Sequence, residues 1–201
     1  MNDMSINASG PLSGTMDVDE FMAFMETRPK EEHWDLIEGV AVMMAPAGYL
    51  HQLVASNFRD LLNSALKAKG LNLYAFGDVG VRSPGLVNFQ PIPDVVVASS
   101  IVDEDYYYSE CFQLAAEVLS PSNARMEIDL KTRRYREAPS NLYAVVIDPK
   151  KYMVEIYAKS RKWEPAILKR PDDVIEMPEF GLRCVVADLY VGTPLDPRRA
   201  G

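Results

Sequence analysis

Apolar positions along the chain change period several times, and each change marks an element. After a polar opening of small residues, Phe21, Met22 and Met25 recur at helical spacing behind Thr15 and Asp17, either of which can cap a helix that Pro29 ends. HWDLIEGVAVMMAP holds two short extended runs around Glu38-Gly39, the pattern of a hairpin. From Tyr49 to Lys69, Leu50, Val54, Phe58, Leu61 and Ala65 fall on one stripe, which predicts a helix stopped by Gly70. The period then becomes strand-like in LNLYAF, DVGVRS and PIPDVVVA. SSIVDEDYYYSE is a polar, acidic connection, and CFQLAAEVL reads as a strand buried on both faces. SPSN starts a second long helix, from about Ala124 to Ala138, that Pro139 ends. LYAVVID, YMVEIYA and WEPAILKR are further strands, and DDVIEMPEFGLRCVVADLY is short extended or turn-like structure. This order predicts an α/β (α+β) architecture, a central mixed sheet flanked by helices in a single domain over 16–191. Residues 1–15 are expected to be disordered and 192–201 to form a flexible tail.

Composition narrows the function. At 201 residues, 48% apolar and 25% charged, the chain is an ordinary globular protein with room for a full core. Asp and Glu outnumber Lys and Arg 29 to 21, a net charge of -8, which argues against a basic coat that grips nucleic acid wherever it touches but allows a locally basic cleft. No window is apolar enough for a membrane span, and MNDMSINASGPLSGTM has neither the basic start nor the apolar stretch of a secretory signal, so a cytoplasmic location and no membrane partner are expected. Cys111 and Cys184 have no metal-ligand spacing and are expected to be small, reduced core residues.

The chemistry concentrates between Asp94 and Lys131. Asp94 stands at the lip of the strand Val95-Val96-Val97, where a turn-capping acid is the plain alternative. Glu117 interrupts an apolar strand, where a carboxylate is costly unless it is salt-bridged or binds a metal. On the following helix Ala124, Ile128, Lys131, Tyr135 and Ala138 share the face that should pack on the sheet, which places a lysine at its centre; a snorkelling stem is the alternative. Two hard oxygen ligands and an ammonium aimed at one region suit a magnesium site that handles phosphate. His51, at the border of the first long helix's stripe, is expected on the surface or in a hydrogen bond, with a role near the phosphate as the alternative. Tyr106-Tyr107-Tyr108 lie beside acids that repel phosphate, so packing is expected there rather than base stacking. Arg125, Arg133 and Arg134 belong to the densest basic cluster; they are either a solvated face balanced by Glu127, Asp129 and Glu137 or the weak candidates for DNA phosphate contacts.

Pro93-Asp94, then Glu117-Val118-Leu119-Ser120-Pro121-Ser122, then Lys131 and Tyr135, then Val146-Ile147-Asp148-Pro149 resemble the Uma-type restriction endonuclease domain family, a branch of the PD-(D/E)XK nuclease superfamily. The resemblance runs from about residue 16 to 191 and includes WDLIEG, the helix start at His51, GDVGVRSPG and PEFGLRCVVADLY. It implies a restriction-endonuclease-like fold with Asp94 and Glu117 as ligands of Mg2+ or Mn2+. The chain departs from the superfamily in carrying Leu119 where the lysine usually stands, two residues after the acid; the family resemblance offers Lys131 instead, from the next helix. The hairpin acids, usually Glu then Asp, are Asp35 and Glu38, so Asp35 is the weak member of the catalytic set and Glu38 is expected to be a solvated hairpin acid. The turn Ser140-Asn141-Leu142-Tyr143-Ala144 also differs from the family's pattern.

The leading expectation is a metal-dependent endonuclease acting on DNA, with Asp94 and Glu117 holding the metal and Lys131 stabilising the attacking hydroxide or transition state. DNA is the expected transient partner, and a homodimer stays open. The alternative is a nuclease-fold binding or assembly module that has lost strong catalysis. A glycosidase built on paired carboxylates fits poorly, because the best pair is joined to a lysine.

Overall fold

The computed structural model describes residues 15–99, 108–120 and 125–199. Helix α1 (Val18–Glu26) opens with a reciprocal cap, in which the Asp17 side chain accepts from the Glu20 N–H and Glu20 accepts from the Asp17 N–H. Strands β1 (Trp34–Ile37) and β2 (Val40–Met43) pair antiparallel. Their turn carries Glu38 and Gly39 at φ 50° and 77°, the two left-handed residues of a tight hairpin. Helix α2 spans Tyr49–Ala68, and β3 (Leu73–Phe76), β4 (Gly80–Val81), β5 (Val95–Ser99), β6 (Tyr108–Ser109) and β7 (Leu114–Val118) follow. Then come α3 (Arg125–Glu137), β8 (Tyr143–Ile147), β9 (Val154–Ala158), β10 (Pro165–Leu168), and a hairpin of β11 (Val174–Met177) and β12 (Leu182–Val185).

The central sheet has six strands in the order β10-β9-β8-β7-β5-β3. Only β7 and β8 run parallel, joined by a crossover that contains α3. All five residues of β7 and all five of β8 are buried, as the continuous apolar runs predict. Side-chain alternation divides the core into two layers. Val95, Val97, Leu114, Ala116 and Val118 face α2, whereas Val96, Ala115 and Ala144 face Tyr135 and Ala138 of α3. The β3 edge is closed by Asn63, whose side chain bonds both the N–H and the carbonyl of Ala75.

Three sequence expectations change. The buried stripe of α2 is His51, Val54, Ala55, Phe58, Leu62 and Leu66, rotated from the expected one, so Leu61 and Ala65 lie at its margin and His51 lies within it. Cys111 is exposed and Cys184 half-buried, so neither is a fully enclosed core thiol. The segment after Val191, expected to fray, is folded back: Thr193 is buried, and Tyr152 donates its hydroxyl hydrogen to the Leu195 carbonyl. The disorder expected over 1–15 and the helix start expected at SPSN fall largely outside the described residues, as do Tyr106 and Tyr107. Tyr108 packs under the Arg82 guanidinium, 3.6 Å from the ring centre.

Candidate active site

Strand register brings the two principal acids together. Val95 pairs with Ala116 across β5 and β7, so the next pair outward is Asp94 and Glu117, and alternation turns both toward the α3 layer. Asp94 Oδ2 accepts the Val118 N–H at 2.6 Å and lies 3.1 Å from His51 Nε2. Glu117 Oε1 accepts the Tyr135 hydroxyl at 2.5 Å. The other oxygens, Asp94 Oδ1 and Glu117 Oε2, take no hydrogen bond from a described residue.

Lys131 comes from the buried face of α3 together with Ile128, Tyr135 and Ala138, the face its spacing predicts; Ala124 lies outside the described residues. Its side chain is 0% exposed, so it does not snorkel to solvent. Its ammonium lies 2.6 Å from Asp35 Oδ2, 3.6 Å from Glu117 Oε1 and 3.9 Å from Glu127. The Asp35 contact is an ion pair rather than an aligned hydrogen bond. Asp35 is also 0% exposed and accepts the Ile92 N–H at 2.8 Å, which ties the hairpin to the segment leading into Asp94. Asp35 therefore belongs to the cluster as the lysine's counter-ion.

Burial and like charge govern the titration here. Loss of solvent pushes the Glu117 carboxyl up to about 8; the Lys131 charge opposes this and the nearby Asp94 reinforces it. Burial alone would lower Lys131, but the surrounding Glu117 and Asp35 outweigh it and hold the ammonium above its usual range. His51 is raised in the same way, its desolvation overcome by the hydrogen bond and charge of Asp94. Burial chiefly, then Glu117, raises the Tyr135 phenol well above its ordinary value.

The donor set fits a hard divalent cation. Two oxygens, Asp94 Oδ1 and Glu117 Oε2, take no hydrogen bond from a described residue, and the pressure on Glu117 to stay protonated is what a cation would relieve. No three His, Cys, Asp or Glu side chains gather for metal binding among the described residues. Magnesium needs only one or two carboxylates, with water and substrate phosphate completing its shell.

The basic helix is less available than its composition suggests. Arg125 grips Glu155 at 2.8 and 3.0 Å and pairs with Asp129 at 3.0 Å, fastening the start of α3 to β9. Arg134 holds Glu38 at 2.5 and 2.6 Å and Glu137 at 2.8 Å, so Glu38 is an ion-paired anchor rather than a solvated acid. Arg133 is exposed. His51 is the site residue whose burial the sequence did not reveal: it is 7% exposed and touches Asp94. The signal was present as a polar residue one position from an apolar stripe, hidden because the stripe was phased on Leu50.

A βαβ crossover flanked by antiparallel strands, with one acid just before β5 and one in β7 beneath a lysine from the crossover helix, defines a restriction-endonuclease-like fold. The chain belongs to the Uma2 family, described as "Putative restriction endonuclease", whose model matches residues 18–187. It is also similar to a solved structure described as a "putative nuclease belonging to DUF820" from Anabaena variabilis ATCC 29413. That likeness has a TM-score of 0.71 at 20% identity and covers 87% of this chain and 97% of that one. No curated protein matches. No described helix is long and apolar enough to cross a membrane.

Proposed function

We propose that the protein is a Mg2+- or Mn2+-dependent endonuclease that hydrolyses DNA phosphodiester bonds, with Asp94 and Glu117 holding the cation. The observation that carries this reading is the pair of carboxyl oxygens, Asp94 Oδ1 and Glu117 Oε2, that no described residue claims, beside the enclosed ammonium of Lys131. A bound cation supplies polarisation of the phosphodiester and a more acidic water. Lys131 offsets the charge of Asp35 and Glu117 and stabilises negative charge that builds at the pair in the transition state. Asp35 holds that ammonium on the side of Glu117, and Tyr135 fixes one Glu117 oxygen so that the other is presented. DNA is a transient partner on this reading. With Arg125 and Arg134 already paired, few side chains remain for phosphate contacts, so binding is weak without the cation and its salt slope is shallow. A homodimer, with one copy acting on each strand, suits a cut through both.

The test is cleavage of single-stranded, duplex and branched DNA with manganese, comparing wild type with Glu117→Gln. Activity in the wild type and its loss in the variant are expected; equal cleavage by the two refutes the reading.

A second reading, a binding or assembly module with little turnover, has its own support. Lys131 is fully enclosed and Glu117 only 2% exposed, so a phosphodiester does not reach the ammonium in this conformation. That reading expects a manganese-dependent rise in Tm that vanishes in Asp94→Ala, with no cleavage of any of the three DNAs.

A further inference from the structure

Among the described residues, Asp94 receives both of its side-chain contacts on one oxygen, a hydrogen bond from Val118 and an ion-pair contact from His51. The Val118 N–H reaches Oδ2 at 2.6 Å from the neighbouring strand, and His51 Nε2 reaches the same oxygen at 3.1 Å from the first turn of α2. A backbone donor alone leaves a carboxyl free to swing about its Cβ–Cγ bond. A second donor from the opposite layer fixes its plane. α2 packs on the face of the sheet opposite α3, so His51 approaches the acid pair from the side that Lys131, Asp35 and Tyr135 do not occupy.

The imidazole also carries a cost that packing does not explain. His51 is 7% exposed and its Nδ1 is buried without a hydrogen-bond partner among the described residues. Buried ring nitrogens are ordinarily both satisfied, and leaving one bare is unfavourable. An apolar residue would fill this place on the α2 stripe without that cost, so the imidazole serves its polar neighbours, Asp94 first and the Val118 backbone after it.

We propose that His51 is a positioning residue: it donates from Nε2 to Asp94 Oδ2 and so turns Oδ1 toward the cation. This rests on the reading of Asp94 and Glu117 as the cation-holding pair. Partners of this kind, which orient a ligand without touching the ion, typically change metal affinity by about 10- to 100-fold when removed.

The experiment is calorimetric titration of Mn2+ into the DNA-free protein, together with the metal-free Tm, for wild type, His51→Leu, His51→Gln and Asp94→Ala. His51→Leu keeps the apolar stripe filled and should melt within a few degrees of wild type, yet bind Mn2+ about 10- to 100-fold more weakly. His51→Gln supplies an amide N–H donor and should recover most of that loss. A role in packing alone would move the Tm and leave the affinity, so wild-type affinity in His51→Leu overturns the proposal. Equal loss in the Leu and Gln variants overturns it too, because it would make the imidazole itself the ligand. Should His51→Leu not fold, the Gln variant decides alone: near-wild-type affinity supports positioning and a 10-fold loss refutes it. If wild type and Asp94→Ala both fail to bind Mn2+, the cation reading falls and this proposal with it. If Asp94→Ala loses binding while His51→Leu keeps it, only the role of His51 is refuted.

Discussion

Lys131→Met keeps an unbranched stem on the buried face of α3 and removes its charge. The ammonium is the ion-pair partner of Asp35 Oδ2 at 2.6 Å, and both side chains are 0% exposed. Without it Asp35 keeps the single Ile92 N–H as donor, and its outer oxygen is buried with no compensating charge. Breaking a buried pair by removing one partner typically costs about 3–5 kcal/mol, because the survivor remains desolvated. For a chain of this length each kcal/mol moves Tm by about 2–4 °C, so the expected fall is about 6–20 °C. Asp35→Leu should be destabilising for the converse reason, leaving the ammonium with Glu117 at 3.6 Å and Glu127 at 3.9 Å. Asp35→Leu with Lys131→Met removes both charges and replaces them with apolar groups, an exchange that is often neutral or stabilising. Urea unfolding of the four proteins in EDTA at pH 7 closes the cycle, and the double variant should lie at least about 2 kcal/mol above the sum of the singles. A Lys131→Met loss below about 1 kcal/mol, or additivity of the two changes, would refute the buried pair as the brace of this site. Loss of cleavage in Lys131→Met is therefore interpretable only at temperatures where the variant is folded.

Three further outcomes are expected. Burial raises Glu117 from its ordinary 4.5 to about 8, so the folded protein holds a proton there that the unfolded chain has released; metal-free stability should fall as pH rises from about 5 to 8, and Glu117→Gln should flatten that slope in thermal melts across pH. The same proton must leave when a cation binds, so calorimetry at pH 7 in buffers of different ionisation enthalpy should show proton release on Mn2+ binding to wild type and less in Glu117→Gln. Arg133→Ala should weaken DNA binding and reduce the salt slope by about one, whereas Arg125→Ala, which frees the nearly buried Glu155, should lower Tm by several degrees and change the slope little; equal slopes for both would remove Arg133 from the DNA-facing surface.

What the sequence made legible follows from how far each partner lies along the chain. The hairpin at Glu38-Gly39, the cap at Asp17 and the inward face of α3 are set by residues within a few positions of one another, and period alone places them. Asp94 and Glu117 were legible because acids beside apolar strand residues stand out in any register. Asp35 was named only through the family resemblance and its burial was not legible, since that depends on Ile92 and on Lys131, 57 positions away in the first case. Glu38 and Arg134 are 96 positions apart, Arg125 and Glu155 are 30 apart, and neither pairing has a local signature. A basic run on a helix therefore looked like a phosphate-binding surface when much of its charge is spent fastening the helix down. The phase of α2 failed for a different reason: leucine and alanine are common at helix margins, and a hydrophobicity pattern discounts a buried histidine.

Position 119, where the superfamily that the chain resembles usually carries a lysine, holds leucine, and the buried ammonium beside Glu117 comes from α3 instead. Residue 119 follows Glu117 by two, and its N–H still bonds the Ile147 carbonyl, so the strand pairing continues and its side chain falls on the face of Glu117. A lysine there would lie on the sheet face that α3 covers, where the Lys131 ammonium already sits. Leucine at 119 leaves a single buried cation, delivered from the helix layer instead of the strand. The site then depends on how α3 is held, and three anchors besides the Lys131–Asp35 pair contribute: Arg125 to Glu155, Tyr135 to Glu117 and Arg134 to Glu38. In the superfamily's usual arrangement the acid and lysine share one rigid strand; here their separation is a tertiary distance. Loosening any of the three anchors should move the ammonium relative to Glu117 without changing a residue of the acid pair, so the role proposed for Lys131 depends on the seating of α3.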